Sequence, residues 1–214
     1  MNFSSIYDYL QQDIDLDHLL APILPYLDVK NVLVDAGCGS GHILTYLAKK
    51  GFKVVGLDND SSMLSLAQQK IIHYGLDAKL YEHDLRDPLQ MKTHQIISLL
   101  DVSHYFKGVK KLFHNYYQAL IKNGVLILDL YKSSVNEHEF GQIDNLHYDW
   151  EVKTINDKIN HKLTVLVNDQ TYHYNLYQYY YPLDYYQKVL TEIGFNIDII
   201  DSYDDRKVYF ICRK

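Results

Sequence analysis

The sequence predicts an α/β fold: a mostly parallel sheet covered by helices on both faces, with a C-terminal antiparallel hairpin and an inserted antiparallel β meander. Three observations lead there. Short apolar runs alternate with segments of helical spacing from Asn31 to Leu130, and strands and helices in that order join by right-handed crossovers into a parallel sheet. The first run enters its helix through Asp35-Ala36-Gly37-Cys38-Gly39-Ser40-Gly41, a glycine-rich turn. After Tyr131 the alternation stops, and consecutive strand-like stretches take its place.

Val32, Leu33 and Val34 mark the first buried strand, and Ile43, Leu44, Leu47 and Ala48 recur at helical spacing until Gly51. Lys53 to Asp58 reads as the second strand, and a helix from about Ser62 to Tyr74 ends at Gly75. Ala78 to His83 is a third strand and Gln95 to Leu100 a fourth. A helix over Val109 to Ile121 carries Leu112, Phe113, Tyr116 and Leu120 on one side, and Asn123-Gly124 turns the chain into a fifth strand, Val125 to Leu130. Tyr148 to Ile155, Ile159 to Val167 and Thr171 to Tyr181 are the strands of the meander, turned by Asn156-Asp157 and Asn168-Asp169. A helix from about Leu183 to Ile193 stops at Gly194, and Phe195 to Asp201 pairs with Lys207 to Cys212 as a hairpin. The expected divisions are a core over residues 1–130 with an N-terminal helical segment, an inserted cover over 131–181, and 182–214 completing the core sheet.

Composition narrows the function classes. The chain has 214 residues, enough for a sizeable core, with 47% hydrophobic and 22% charged residues. No apolar run reads as a signal peptide or a membrane span, so a cytoplasmic protein is expected. Cys38 and Cys212 have neither C-x-x-C spacing nor a companion histidine pattern, so neither a metal site nor a disulfide is expected. A net charge of -6 opposes a nucleic-acid partner, because phosphate binding needs clustered cations and the longest cluster is Lys107, Lys110 and Lys111.

The glycine turn sits where open parallel sheets bind ligands, outside the C-terminal ends of the strands. Glycines let a ligand approach the backbone, and the N–H groups opening the next helix attract anionic groups such as a carboxylate. A dinucleotide fingerprint needs G-x-G-x-x-G; here the third glycine comes one residue early, at Gly41, and His42 stands in its place. Asp35, two residues before Gly37, would face a pyrophosphate unfavourably yet suits a ligand with an ammonium group.

VLVDAGCGSG followed by VVGLD resembles motif I and the acidic second-strand end of class I S-adenosylmethionine-dependent methyltransferases, and the likeness to small bacterial members that methylate small molecules runs through most of the chain. It implies a Rossmann-like sheet and S-adenosyl-L-methionine as cofactor. By that resemblance Gly37, Gly39 and Gly41 lie against the methionine part, Asp35 near its amino end, and Asp58 holds the two ribose hydroxyls. Asn59 and Met63, in Asp58-Asn59-Asp60-Ser61-Ser62-Met63-Leu64, resemble the D-x-S-x-x-M-L stretch whose methionine packs on the adenine, with Asp60 in place of the serine. Asp84 and Leu85 resemble the pair that receives the adenine amino group and ring edge. Asp101-Val102-Ser103-His104-Tyr105-Phe106 is similar to the D-V-L-H-H-L stretch at the cofactor edge, and Tyr7-Asp8-Tyr9 to the Y-D-x-L segment that folds over the cofactor. Read without the likeness, Asp58 is a solvated turn residue, Met63 helix core, Asp84 a turn cap and Tyr7 helix packing.

A sulfonium is already a strong methyl donor, so the resemblance implies a protein that aligns an acceptor and excludes water; alignment contributes roughly 7–11 kcal/mol. If the acceptor must lose a proton, His104 is the candidate base. No N-P-P-Y, D-P-P-Y or Pro-Cys motif is present, which favours a small-molecule acceptor over a nucleic acid. An RNA or protein methyltransferase and a non-catalytic cofactor-binding protein stay open as alternatives, and residues 131–181 read either as an acceptor-selecting cover or as an edge or dimer surface.

Overall fold

A computed structural model describes residues 2–214. Its core is a seven-stranded sheet of β1 (Val32–Ala36), β2 (Lys53–Asp58), β3 (Lys79–Glu82), β4 (Thr93–Ser98), β5 (Leu120–Tyr131), β10 (Asn196–Asp201) and β11 (Lys207–Arg213). The order is β10-β11-β5-β4-β1-β2-β3. The pairings among β1 to β5 are parallel, whereas β11 runs antiparallel to both β5 and β10. The C-terminal hairpin therefore completes the core sheet by wedging β11 against β5.

Near-continuous apolar runs in these strands follow from burial on both faces. Along β5, Leu126, Leu128 and Leu130 point to one face while Val125 and Ile127 point to the other. The first face packs against α5 (Lys110–Ala119) and α6 (Leu183–Ile193) through Phe113, Tyr116, Tyr186 and Leu190. On the second lie α2 (Leu16–Leu20), α3 (His42–Lys49) and α4 (Ser61–Tyr74), through Leu20, Leu44, Leu47 and Ile71. Gly75 ends α4 in the left-handed conformation, φ +61°, and its N–H bonds back to the helix, as its position in the sequence implies.

Two boundaries differ from the expectation. The helix α5 stops at Ala119, and Asn123-Gly124 lies inside β5 rather than before it. The pairing of β4 with β5 jumps from Thr93–Leu120 to Gln95–Val125, so three extra residues of β5 bulge out around Asn123, whose φ is +63°. The turn chemistry makes a bulge, not a strand start.

The insertion is a separate four-stranded antiparallel sheet, β6 (Asn136–Ile143), β7 (Leu146–Ile155), β8 (Lys158–Val167) and β9 (Gln170–Tyr179), paired in chain order. Three strands were expected; β6 is the fourth. Its inner face packs on α1 (Phe3–Leu10), with Ile6 buried among Leu146, Leu163, Val165 and Val167. On β9 the face of Tyr172 and Tyr174 turns inward to this cluster, and that of His173 and Tyr177 outward. No helix among the described residues is long and apolar enough to cross a membrane.

Candidate active site

A cavity of about 720 Å³ opens beyond the C-terminal ends of β1, β2 and β4, within the size range of small-molecule sites. Core residues form its floor, and Phe3 and Tyr7 of α1 with Leu176 and Tyr179 of β9 contribute to its walls.

The glycine turn is fastened to the end of β2. Gly37 and Cys38 both donate N–H bonds to the Leu57 carbonyl, at 2.7 and 2.9 Å. The Asp58 carboxylate then accepts from Gly39 N–H at 2.8 Å on Oδ2 and from Asp60 N–H at 2.9 Å on Oδ1. Burial raises the Asp58 carboxyl above its ordinary range. Asp60 caps α4 by accepting from Ser62 and Met63 N–H, a role in which aspartate and serine serve alike, so its departure from the family pattern leaves the helix start intact.

The three glycines do different work. A side chain at Gly39 would meet no atom within 4 Å, and this residue lines the cavity at φ +51°. A Cβ at Gly37 would stand 2.5 Å from Val102 Cγ2, and one at Gly41 2.8 Å from the Ala67 Cβ. Gly41 lies outside the cavity lining: it is glycine because α3 and α4 touch there.

Asp35, at 3% exposure, turns a carboxylate toward this cavity, and its Oδ2 has no hydrogen-bond partner among the described residues. Burial, and then the charge of Asp58, push its pKa up to about 7. An unpaired buried carboxylate is costly, and a cationic or donor group beside it removes that cost.

Asn59, Met63, Asp84 and Leu85 also line the cavity. The Asp84 carboxylate is gripped by Arg86, with an Nη2–Oδ2 distance of 2.6 Å, and the hydrogen bond from that guanidinium lowers its pKa to about 2. Tyr7 is held above by ring stacking on Phe3 at 5.4 Å and by an edge contact with Trp150 at 6.4 Å. The helix carrying it is tied down by Asp8, which pairs with Lys70 and, at 2.7 Å, with His42; Lys70 in turn donates to the Ser40 carbonyl at 3.0 Å.

Asp101 and His104 stand apart from the cavity, against the sequence expectation. Asp101 Oδ1 lies 2.6 Å from the buried Lys207 ammonium and its Oδ2 accepts from Tyr131 at 2.8 Å. Lys207 also donates to Asp129 at 3.0 Å, and Asp129 accepts the N–H groups of Leu100 and Asp101, which sit at φ +57° and +71°. This network shapes the turn after β4. His104 is fully buried. Its Nε2 accepts from Tyr131 N–H at 3.4 Å, which leaves Nδ1–H to donate to the Tyr179 carbonyl at 2.8 Å. Burial lowers its pKa. Neither ring nitrogen is free to take a proton from a ligand, so His104 joins β9 to β5 instead of serving as the expected base.

Leu99, Leu100, Tyr105, Phe106 and Leu176 line the cavity without having been singled out in the sequence. Tyr105 was adjacent to the expected residue, and the helical turn spanning Val102–Tyr105 decides which of the two faces the ligand space.

Comparisons with known proteins agree with this geometry. Residues 34–128 match the methyltransferase domain family. A provisionally named methyltransferase of Geobacillus sp. (strain WCH70) is 24% identical over 207 residues, covering 85% of this chain and 84% of that protein. Among solved structures, an S-adenosylmethionine-dependent methyltransferase from Clostridium acetobutylicum superposes with a TM-score of 0.84 at 22% identity, over 99% of this chain and 97% of that one. CalS10, an amino pentose methyltransferase from Micromonospora echinaspora solved with S-adenosylmethionine bound, superposes with a TM-score of 0.78 at 14% identity, over 100% and 98%. Residues 34–128 thus carry a methyltransferase domain, and the chain as a whole has the fold of class I S-adenosylmethionine-dependent methyltransferases. The residues present fit that cofactor: an orphaned carboxylate awaits a cation, and Gly39 leaves open the space a side chain would fill.

Proposed function

We propose that the protein methylates a small molecule within this cavity, with the inserted sheet as its cover. Asp35 is assigned to the ammonium group of the cofactor, Gly37 and Gly39 to its methionine part and Asp58 to the ribose hydroxyls. Met63 and Leu85 supply apolar contacts to the adenine, Asp84 faces the adenine edge and Tyr7 closes over the top. When bound, the cofactor supplies a methyl group already activated on a sulfonium. The chain's own task is to orient and enclose. Alignment and exclusion of water contribute about 7–11 kcal/mol without a dedicated base, which accords with the commitment of both His104 nitrogens to the backbone.

The observation that carries the small-acceptor reading is the roof: Tyr7 from α1 and Leu176 and Tyr179 from β9 line the same cavity as Asp35 and Asp58. A ligand there is bounded from the core and from the insertion. The amino pentose substrate class of CalS10, a structural neighbour with the same fold, supports the reading by analogy. Incubation of a cell extract with methyl-tritiated cofactor tests it, after separation into small-molecule, RNA and protein fractions. Protein-dependent label is expected among the small molecules; label confined to RNA or protein would contradict the proposal.

A further inference from the structure

The cover meets the core along two seams of opposite character. On one side β9 and the turn after β4 are joined by buried groups. The buried His104 donates to the Tyr179 carbonyl at 2.8 Å, and Val135, Val152 and Ile159 form an apolar cluster with Tyr131 at the end of β5. On the other side stands α1. Its apolar residues belong to the cover, with Ile6 buried in the inserted sheet's inner cluster and Phe3 tilted on Tyr174 at 5.3 Å. None of the described residues of α1 enters either apolar core of the seven-stranded sheet.

The helix reaches that core through polar side chains. Lys70 of α4 pairs with Asp8 Oδ1, and Nε2 of His42, the first residue of α3, lies 2.7 Å from the same oxygen. Partial burial works against the Asp8 charge, yet the bonds from His42 and Lys70 hold its carboxyl well below the usual carboxylate range. The ion pair is therefore present at neutral pH. His42 Nε2 is also 3.2 Å from the Asp8 carbonyl. Carboxylate and carbonyl can only accept, so Nε2 carries the ring proton and donates. Lys70 donates as well to the Ser40 carbonyl at 3.0 Å, inside the glycine turn, and Ser4 donates to Asp60 at 3.3 Å where α4 begins.

Tyr7 and Gln11 on one side of this seam, and His42 and Met63 on the other, line the cavity. Ser40 adjoins Gly39, and Asp60 donates its N–H to Asp58, so the seam borders that end of the cavity. The Asp8 and Lys70 side chains are each 22% exposed. Opening here exchanges polar bonds for bonds to water, whereas parting the His104 side exposes buried hydrocarbon.

We infer that the Asp8–Lys70–His42 clasp is the gate by which the cofactor enters and its demethylated product leaves, the cover opening along the α1 seam while the His104 side stays closed. Asp8 and Lys70 are positioning residues, which act on the ligand by holding Tyr7 over it. This rests on the assignment of the glycine turn and Asp58 to the cofactor, and the experiment separates the two.

Surface plasmon resonance with immobilised protein and S-adenosylhomocysteine in solution reads both passages. The clasp bonds all lie within the chain, so weakening them lowers the barrier to passage in either direction. Lys70→Met keeps the aliphatic stem and removes the ammonium. Its association and dissociation rate constants are expected to rise together, roughly 3- to 30-fold, with Kd within about threefold of wild type. A side chain that only supports the bound ligand would change dissociation alone. Lys70→Arg, which retains donors for Asp8 and the Ser40 carbonyl, is expected to restore both rates. Asp8→Asn, which keeps the shape of the side chain, reads the same step if Lys70→Met fails to fold. Tyr181→Phe removes the bond that its hydroxyl accepts from Gly108 N–H on the fastened side, and is expected to leave both rates unchanged. Unchanged rates in Lys70→Met and Asp8→Asn, a rise in dissociation alone, or an equal acceleration in Tyr181→Phe would overturn the inference. Wild-type protein that does not bind S-adenosylhomocysteine would remove the cofactor assignment and the gate with it; binding with unchanged rates in the clasp variants removes the gate only.

Discussion

The Gly39 amide donates to Asp58 Oδ2 at 2.8 Å, so the turn after β1 and the acidic end of β2 form one unit. A ligand that engages Asp58 thereby also meets the backbone of Gly39. Asp58→Ala removes charge-assisted bonds worth about 1.5–3 kcal/mol, and the affinity for S-adenosylmethionine is expected to fall roughly 10- to 150-fold. Calorimetric titration checks this, with circular dichroism to show that the fold persists.

The glycines are expected to separate by phenotype. Gly39→Val places a branched side chain in open ligand space at φ +51°, so cofactor binding is lost and the only cost to stability is left-handed backbone strain, with no steric overlap. Gly37→Ala drives a methyl group to 2.5 Å from Val102 at φ +85°, which combines overpacking with left-handed backbone strain. Its cost of about 1–3 kcal/mol lowers the melting temperature by roughly 2–4 °C per kcal/mol. Thermal scans of the two variants side by side read the difference.

His104→Ala is expected to act on stability before chemistry. It leaves the Tyr179 carbonyl and Tyr131 N–H without their partner, at about 1–3 kcal/mol for each buried group. Urea unfolding measures the loss. A variant as stable as wild type but inactive would return His104 to the chemistry.

Two tyrosines of β9 give a paired test of the cover. Tyr177 is 57% exposed on the outer face, whereas Tyr179 lines the cavity. Tyr179→Ala is expected to raise the acceptor KM or lower kcat with cofactor affinity near wild type, and Tyr177→Ala to change neither. Steady-state kinetics on the labelled fraction compares them.

Much of this was legible because it is local. The strand β2 runs over Lys53–Asp58 as its apolar pattern indicated, and Gly75 and Gly194 end their helices. What the sequence concealed depends on distant partners. β6 is an edge strand whose Asn136–Ile143 side chains are mostly exposed, so it has no apolar alternation to read. The assignment of His104 over Tyr105 reversed because burial beneath β9 is set by residues some 75 positions away. Gly41 carries the same motif signature as Gly39, and only its contact with Ala67 distinguishes packing from ligand approach.

Asp35 bears most directly on the central claim, that this cavity holds the cofactor through an ammonium–carboxylate pair. Its pKa in the folded chain, about 7, lies above the ordinary 3.8, so the native state holds the proton more tightly. Asp35 contributes stability that is fully present below about pH 4 and is lost as pH rises through 7. Without cofactor, Asp35→Asn is therefore expected to melt higher than wild type at pH 8, with the advantage gone at pH 4. Cofactor affinity is expected to move the opposite way, because the ammonium group needs the ionised carboxylate. The decisive measurement is calorimetric titration of wild type and Asp35→Asn with S-adenosylmethionine at pH 8. The expected result is a variant that is the more stable protein alone and binds the cofactor roughly 10- to 150-fold more weakly; equal affinities in the two folded proteins would contradict the account.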